Sequence, residues 1–237
     1  MPITVNNSAS SNLDPGGLTI TFPNYNVSAG TAGTRKLCFT FQTESDDRVV
    51  SAATFNGSSF TEAGNISVGS GAGYNYGTIW YLDDADIGVG GQTSDLVITL
   101  DGVSTKAVAF VFWLDDVAQG VPTQTATDAN AAAGLTSFSV DIFGVALNSI
   151  VINAFGVGDD VSPLTPDGAQ TKVDELAEGT MRGAAAYEIP GSGDRTLGWT
   201  FPAARRPNIV LAEWPEYKGQ KIYNKNHTSK TYEFKEN

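Results

Sequence analysis

The sequence predicts an all-β protein, a two-sheet antiparallel β-sandwich or jelly roll of about 11 strands with little helix. Three observations carry that expectation. β-branched and aromatic residues alternate with polar ones in short runs, which is the period of a half-buried strand. Gly, Asn, Asp and Pro punctuate the runs, and Asn56-Gly57, Asp101-Gly102 and Asp167-Gly168 are turn-forming dipeptides. Helical patterning is scarce: only the Ala-rich stretch Ala129–Ala133 and, more weakly, Lys172–Ala177 offer it, and neither spans two turns with an apolar face.

Taken in order, the runs place strands at Leu18–Phe22, Lys36–Gln42, Arg48–Phe55, Tyr74–Leu82, Asp95–Leu100 and Lys106–Leu114. Further strands are expected at Ser137–Val140, Ser149–Phe155, Gly179–Glu188, Arg195–Phe201 and Asn208–Trp214. The unbroken apolar run Ala107–Leu114 predicts a central strand covered on both faces. Thr19–Phe22 and Thr196–Trp199 alternate, so one of their faces should meet water. These elements make one domain over 1–214, with 1–17 able to act as an N-terminal arm. From Pro215 the chain changes character, with five Lys against three Glu and the only histidine, His227. Residues 215–237 therefore read as a polar, mildly basic tail or arm.

Composition narrows the chemistry. Lys and Arg number 14 against 26 Asp and Glu, a net charge of −12, which disfavours nucleic acid and anionic membranes as partners. No apolar run approaches the roughly 20 residues of a spanning helix. The N-terminal stretch has neither a basic nor an apolar signal region, so synthesis in a cytoplasm is expected. A single cysteine, Cys38, excludes an intrachain disulfide and a multi-thiolate metal site, and reads as a buried thiol.

One internal echo is present. Ile79-Trp80-Tyr81-Leu82-Asp83-Asp84 and Val111-Phe112-Trp113-Leu114-Asp115-Asp116 both end an aromatic strand in Leu-Asp-Asp-x-x-x-Gly. If the Asp95–Leu100 strand pairs with both, the two run in the same direction and their acidic exits share one end of the sandwich. Asp83, Asp84, Asp86, Asp115 and Asp116 are then the ligand set for a bound calcium ion, which takes six to eight oxygens from irregular loops; the alternative is that Asp serves there as a turn former. Arg205 and Arg206 could meet an acidic partner or form a solvated corner. Tyr217, Tyr223, Tyr232 and Phe234 space aromatic anchors along the tail. Tyr74, Tyr76 and Trp80 fall on one face of their strand and could stack on a glycan, or fill the core. A carboxylate-pair glycosidase is disfavoured because Glu188 and Glu213 stand at strand ends. A Ser/His/Asp triad is disfavoured because the only histidine lies in the tail.

The block Arg48–Pro122, about a third of the chain, is where a family resemblance enters. Its order is Thr54-Phe55-Asn56-Gly57, then Gly77-Thr78-Ile79-Trp80-Tyr81-Leu82, then Leu96-Val97-Ile98-Thr99-Leu100, then Ala107–Leu114. This resembles a β-sandwich module of bacteriophage virion structural proteins and some bacterial surface proteins. The Asp-Asp exits and the segment after Pro122 depart from the module. The resemblance implies no catalytic residues and no cofactor. It implies a non-enzymatic virion protein, of capsid-decoration or outer-surface fibre type, attached to a lattice of other virion proteins and favouring a trimer. The alternative function is a carbohydrate-binding or adhesin module that recognises cell-surface glycans.

Overall fold

The computed structural model describes residues 2–13, 17–44, 48–70 and 73–218. In chain order its strands are β1 (Thr4–Asn12), β2 (Gly17–Val27), β3 (Lys36–Glu44), β4 (Val50–Phe55), β5 (Ser58–Ser59), β6 (Thr61–Val68), β7 (Asn75–Asp83), β8 (Gln92–Ser104) and β9 (Ala107–Asp115). A four-residue helix, α1 (Asp84–Ile87), lies between β7 and β8. The second half holds β10 (Gln124–Ala129), β11 (Leu135–Val145), β12 (Ile150–Val157), β13 (Thr165–Pro166), β14 (Thr171–Glu178), β15 (Met181–Glu188), β16 (Gly193–Ala204) and β17 (Asn208–Trp214).

All pairing is antiparallel, but the described strands form four sheets rather than the two expected. Two are five-stranded, in the orders β1-β9-β3-β7-β6 and β10-β17-β12-β15-β14. Two are smaller, β2-β8-β4-β5 and β11-β16-β13. Each small sheet packs on one five-stranded sheet around its own core. Phe39, Phe41, Phe55, Leu96, Ile98 and Val111 belong to the first core, and Phe155, Leu197, Trp199 and Leu211 to the second. The five-stranded sheets then pack back to back through Cys38, Ile79, Tyr81, Phe112, Ile150, Ile152, Ala212 and Trp214. The result is four layers and three apolar seams.

The two halves repeat one strand order. Reading β1, β2, β3, β4, β6, β7, β8 and β9 as β10, β11, β12, β13, β14, β15, β16 and β17 reproduces both sheets of the second half from the first. The packing between halves is reciprocal as well. β6 lies against β10 and β17, and β14 lies against β1 and β9, as two-fold-related copies would.

This stacking explains why the inner strands lack alternation. All nine residues of β3 are buried, as are all of β12 and β17, because both faces of the sheet are covered. The expected central strand at Ala107–Leu114 is covered on both faces, Ala109 and Val111 on one side and Phe110 and Phe112 on the other. Outer strand β2 alternates as expected.

Two of the three turn dipeptides form turns. Asn56 and Gly57 both have positive φ (50° and 80°) and close the β4–β5 hairpin, the backbone a two-residue loop of this kind needs. Gly168, at φ 66°, turns between β13 and β14. Asp101-Gly102, however, is no turn, since β8 runs through it and Asp101 instead accepts the Val49 amide at 3.1 Å. Neither expected helix forms: Lys172–Ala177 belongs to edge strand β14, where Val173 and Leu176 pack inward, and Ala129 ends β10. Residues 4–12 of the expected N-terminal arm are β1, paired along β9.

Phe112 is fully buried between the two halves. Phe112→Ala is expected to cost about 3–5 kcal/mol, measured by urea unfolding. A single transition for the whole chain should persist in the parent protein; two separate transitions would show that the halves unfold independently.

Candidate functional site

The echoing Leu-Asp-Asp exits flank one strand. β7 and β9 both pair antiparallel with β3, so they run in the same direction and their exits do share an end. The intervening strand is β3, not Asp95–Leu100, which pairs with β2 and β4 in the small sheet. Entering between the two exits are Arg35 and Lys36, 1% and 0% exposed. A buried cation must be met by acceptors, and the exits supply them. Arg35 donates from Nε to Asp84, from Nη2 to the Gly88 carbonyl at 2.5 Å, and from Nη1 to the carbonyls of Ser28 (3.1 Å) and Gly90. Lys36 donates from Nζ to Asp83 and to the Gly120 carbonyl at 3.1 Å. The glycine that ends each copy of the echo is thus the carbonyl acceptor for one cation.

The remaining carboxylates of the proposed calcium set have protein partners or lie apart. Asp83 also accepts the Gly120 amide at 2.7 Å, and Asp84 the Gly33 amide at 2.8 Å. Asp115 accepts the Thr31 amide at 3.0 Å, the Thr34 hydroxyl at 2.9 Å and the Asp116 amide at 3.1 Å. Asp116 is 7% exposed, and Asp86 is exposed on α1. Among the described residues, no three His, Cys, Asp or Glu side chains converge as a metal site.

Lys36 also joins the two halves. Its Nζ lies 4.4 Å from the Tyr81 ring centroid and 5.4 Å from that of Trp214, and the Trp214 indole N–H donates to the same Gly120 carbonyl at 3.1 Å. Beyond it the exits of β9 and β17 cross: Val117 bridges Glu216, and the Tyr217 amide donates to the Asp116 carbonyl at 2.8 Å. Tyr217, the first of the expected tail anchors, is therefore tied to the body. Tyr223, Tyr232 and Phe234 lie outside the described residues.

Two further polar locks sit along the back-to-back seam. The Gln42 side chain, with its amide oriented to satisfy its surroundings, donates to the Tyr76 carbonyl (3.2 Å) and Asn208 Oδ1 (2.8 Å) and accepts the Phe155 amide (3.3 Å). Gly77 and Gly156 make room for it, since a Cβ at either would fall on the Gln42 amide. At the far end Glu44, 1% exposed, accepts from Lys106 (2.9 Å), Arg206 and the Thr180 hydroxyl (3.0 Å). Arg206 is thereby turned into the seam. Arg205 remains partly exposed and pairs with Asp159 at 3.1 Å.

Tyr76 and Trp80 do share one face of β7, as alternation predicts, and Tyr74, just before the strand, packs on the same side. That face looks toward the first core: Tyr76 is 4% exposed, and Tyr74 and Trp80 are half-buried against the same cluster. Tyr74 and Tyr76 stack at 6.5 Å, and Trp80 stacks on Phe39 at 6.0 Å. Burial pushes the Tyr76 phenol up. Glu62, which carries no motif in the sequence, accepts from the Tyr76 hydroxyl at 3.1 Å. Only its pairing opposite Trp80 across β6 and β7 brings it to these rings.

No protein-family model, curated protein or solved structure matches the chain.

Lys36→Met is expected to destabilise the fold by about 3–5 kcal/mol, because Asp83 loses its buried partner; adding Asp83→Asn should recover part of the loss in a double-mutant cycle. Because the exits are already filled by protein cations, the melting temperature should not change between chelator and excess calcium, whereas a rise with calcium would establish a site there. Burial pushes the Cys38 thiol up to about 12. Iodoacetamide at pH 8 should therefore label it only in the unfolded chain, and labelling of the native protein would contradict its placement.

Proposed function

We propose that this chain is a non-enzymatic structural protein of a bacteriophage virion, borne on the outer surface as a capsid-decoration or fibre-type component, and built from two copies of one jelly-roll-like sandwich. The observation that carries this reading is where the charged groups are spent. Arg35, Lys36, Asp83 and Asp84 are committed to tying the entry of β3 to the exit of β7, and Glu44 and Arg206 to tying one half to the other, so they act as fasteners. A body with three apolar seams and such charged fasteners suits a component that must hold its shape as a particle passes from a cytoplasm to the exterior.

Charge and resemblance support the placement. A net charge of −12 would repel packaged nucleic acid, which favours an outer position. The block Arg48–Pro122 resembles virion sandwich modules, and in this chain it spans the hairpin and inner strands of the first half. Attachment through the tail beyond Trp214 would spread many weak contacts over a repeating lattice of virion proteins and gain from multivalency. A trimer would match such a lattice.

The test is immunogold electron microscopy of particles released by cells that express the chain, with antibody raised against the purified protein. Regular labelling of the particle exterior is expected. Label confined to cell debris, or particles free of the chain by mass spectrometry, would overturn the reading.

A further inference from the structure

Among the described residues, the first half leaves a strip of sheet uncovered. The small sheet β2-β8-β4-β5 ends in a two-residue strand, and Phe60, edge-on to Phe39 at 5.1 Å, is the last large apolar side chain before β6. The core-side face of β6 is therefore exposed at Glu62, Asn65 and Ser67. Each is paired across to β7 on that face, Glu62 to Trp80, Asn65 to Thr78 and Ser67 to Tyr76. A polar row thus runs beside a row of rings. At about 3.3 Å per residue the row is roughly 16 Å long.

Glu62 is held in place. Its Oε1 accepts from Asn65 Nδ2 at 2.8 Å and the Tyr76 hydroxyl at 3.1 Å, and lies 2.9 Å from Thr78 Oγ1, whose one hydrogen it shares with the Gly64 carbonyl. These contacts on one oxygen fix the carboxylate, and Oε2 has no protein donor among the described residues. Tyr74 and Trp80 flank the row half-buried, each stacked on a deeper ring at interplanar angles of 7° and 9°, which holds their orientation.

From this we infer that the β6–β7 shelf is a binding site for a neutral oligosaccharide, with Glu62 Oε2 and the Asn65 amide taking sugar hydroxyls and the exposed parts of Tyr74 and Trp80 meeting the C–H faces of the rings. The chemistry selects the ligand class. A fixed acceptor beside an amide and a hydroxyl matches vicinal hydroxyl groups, and aromatic surface matches the apolar face of a pyranose. The anionic carboxylate and the net charge of −12 reject sulfated, uronic and sialylated glycans. The length of the row suits several sugar units in preference to one. This site goes beyond the structural role above and stands or falls separately from it.

The experiment is an array of neutral and acidic oligosaccharides probed with the full chain, followed by calorimetry on the best neutral ligand. Neutral binding is expected, weakened at least tenfold by Glu62→Gln and several-fold by Asn65→Ala. Both substitutions are at exposed positions and should leave the melting temperature unchanged. Asp141→Asn, exposed on β11 of the second half, should bind as the parent does. Absence of neutral binding, a preference for acidic glycans, or affinity indifferent to Glu62→Gln in a folded variant would each overturn the assignment.

Discussion

Two positive charges buried at the entry of one strand organise much of this molecule. Arg35 and Lys36 sit at the start of β3 with almost no contact with water, which is tolerable only if fixed acceptors surround them. Those acceptors are the exits of the two strands on either side. The demand fixes neighbours and register together: Lys36 must sit opposite Asp83 on one side and Leu114 on the other. A slip by one residue would turn Lys36 to the opposite face of the sheet and leave both the cation and Asp83 unpaired. Lys36 also points across the seam to Trp214, so the same interaction ties the first half to the second.

The back-to-back seam follows from sheets whose inner strands are buried on both faces. An antiparallel sheet commonly leaves one face to solvent, but here the second face is apolar on β9 and β12, and the polar groups it carries on β3, such as Gln42 and Glu44, have partners in the other half. Each half therefore needs a cover, and the other half supplies it. The seam is mixed, with Phe112, Ile152 and Trp214 giving apolar area and Gln42 and Glu44 giving fixed geometry. Such polar contacts restrict how the two sheets can slide, because any offset leaves a buried amide or carboxylate without its partner.

Much of the all-β character was legible because it rests on local pattern. The Asn56-Gly57 hairpin, the alternation of β2 and the doubly covered Ala107–Leu114 strand all follow from neighbouring residues. The number of sheets was not legible, since whether an apolar face meets a partner sheet within its own sandwich or one in the other half depends on tertiary stacking. The repeat of strand order escaped notice for a related reason: the halves share topology with little shared sequence, while the visible echo joins two strands of the same half. Lys172–Ala177 has helix-forming residues, yet pairing with β15 decided its conformation. Of the candidate residues, the acidic exits were placed at one end correctly, but their partners, Arg35 and Lys36, were invisible as such. Glu62 gave no signal, because its exposure depends on a small sheet ending one strand early.

The reciprocal seam bears on how the chain is made. The first half, β1 to β9, leaves the ribosome with its own sandwich core complete and its outer back face, bearing Tyr81, Phe110 and Phe112, still bare. At roughly 5–20 residues per second, several seconds pass before the second half can cover it. During that interval each nascent chain displays a sticky surface that its neighbours on the same messenger also display, and two such faces are suited to pair with one another. Fusing the second copy to the first keeps the correct partner tethered nearby, so that covering the face becomes a race between an intramolecular closure and an encounter between strangers.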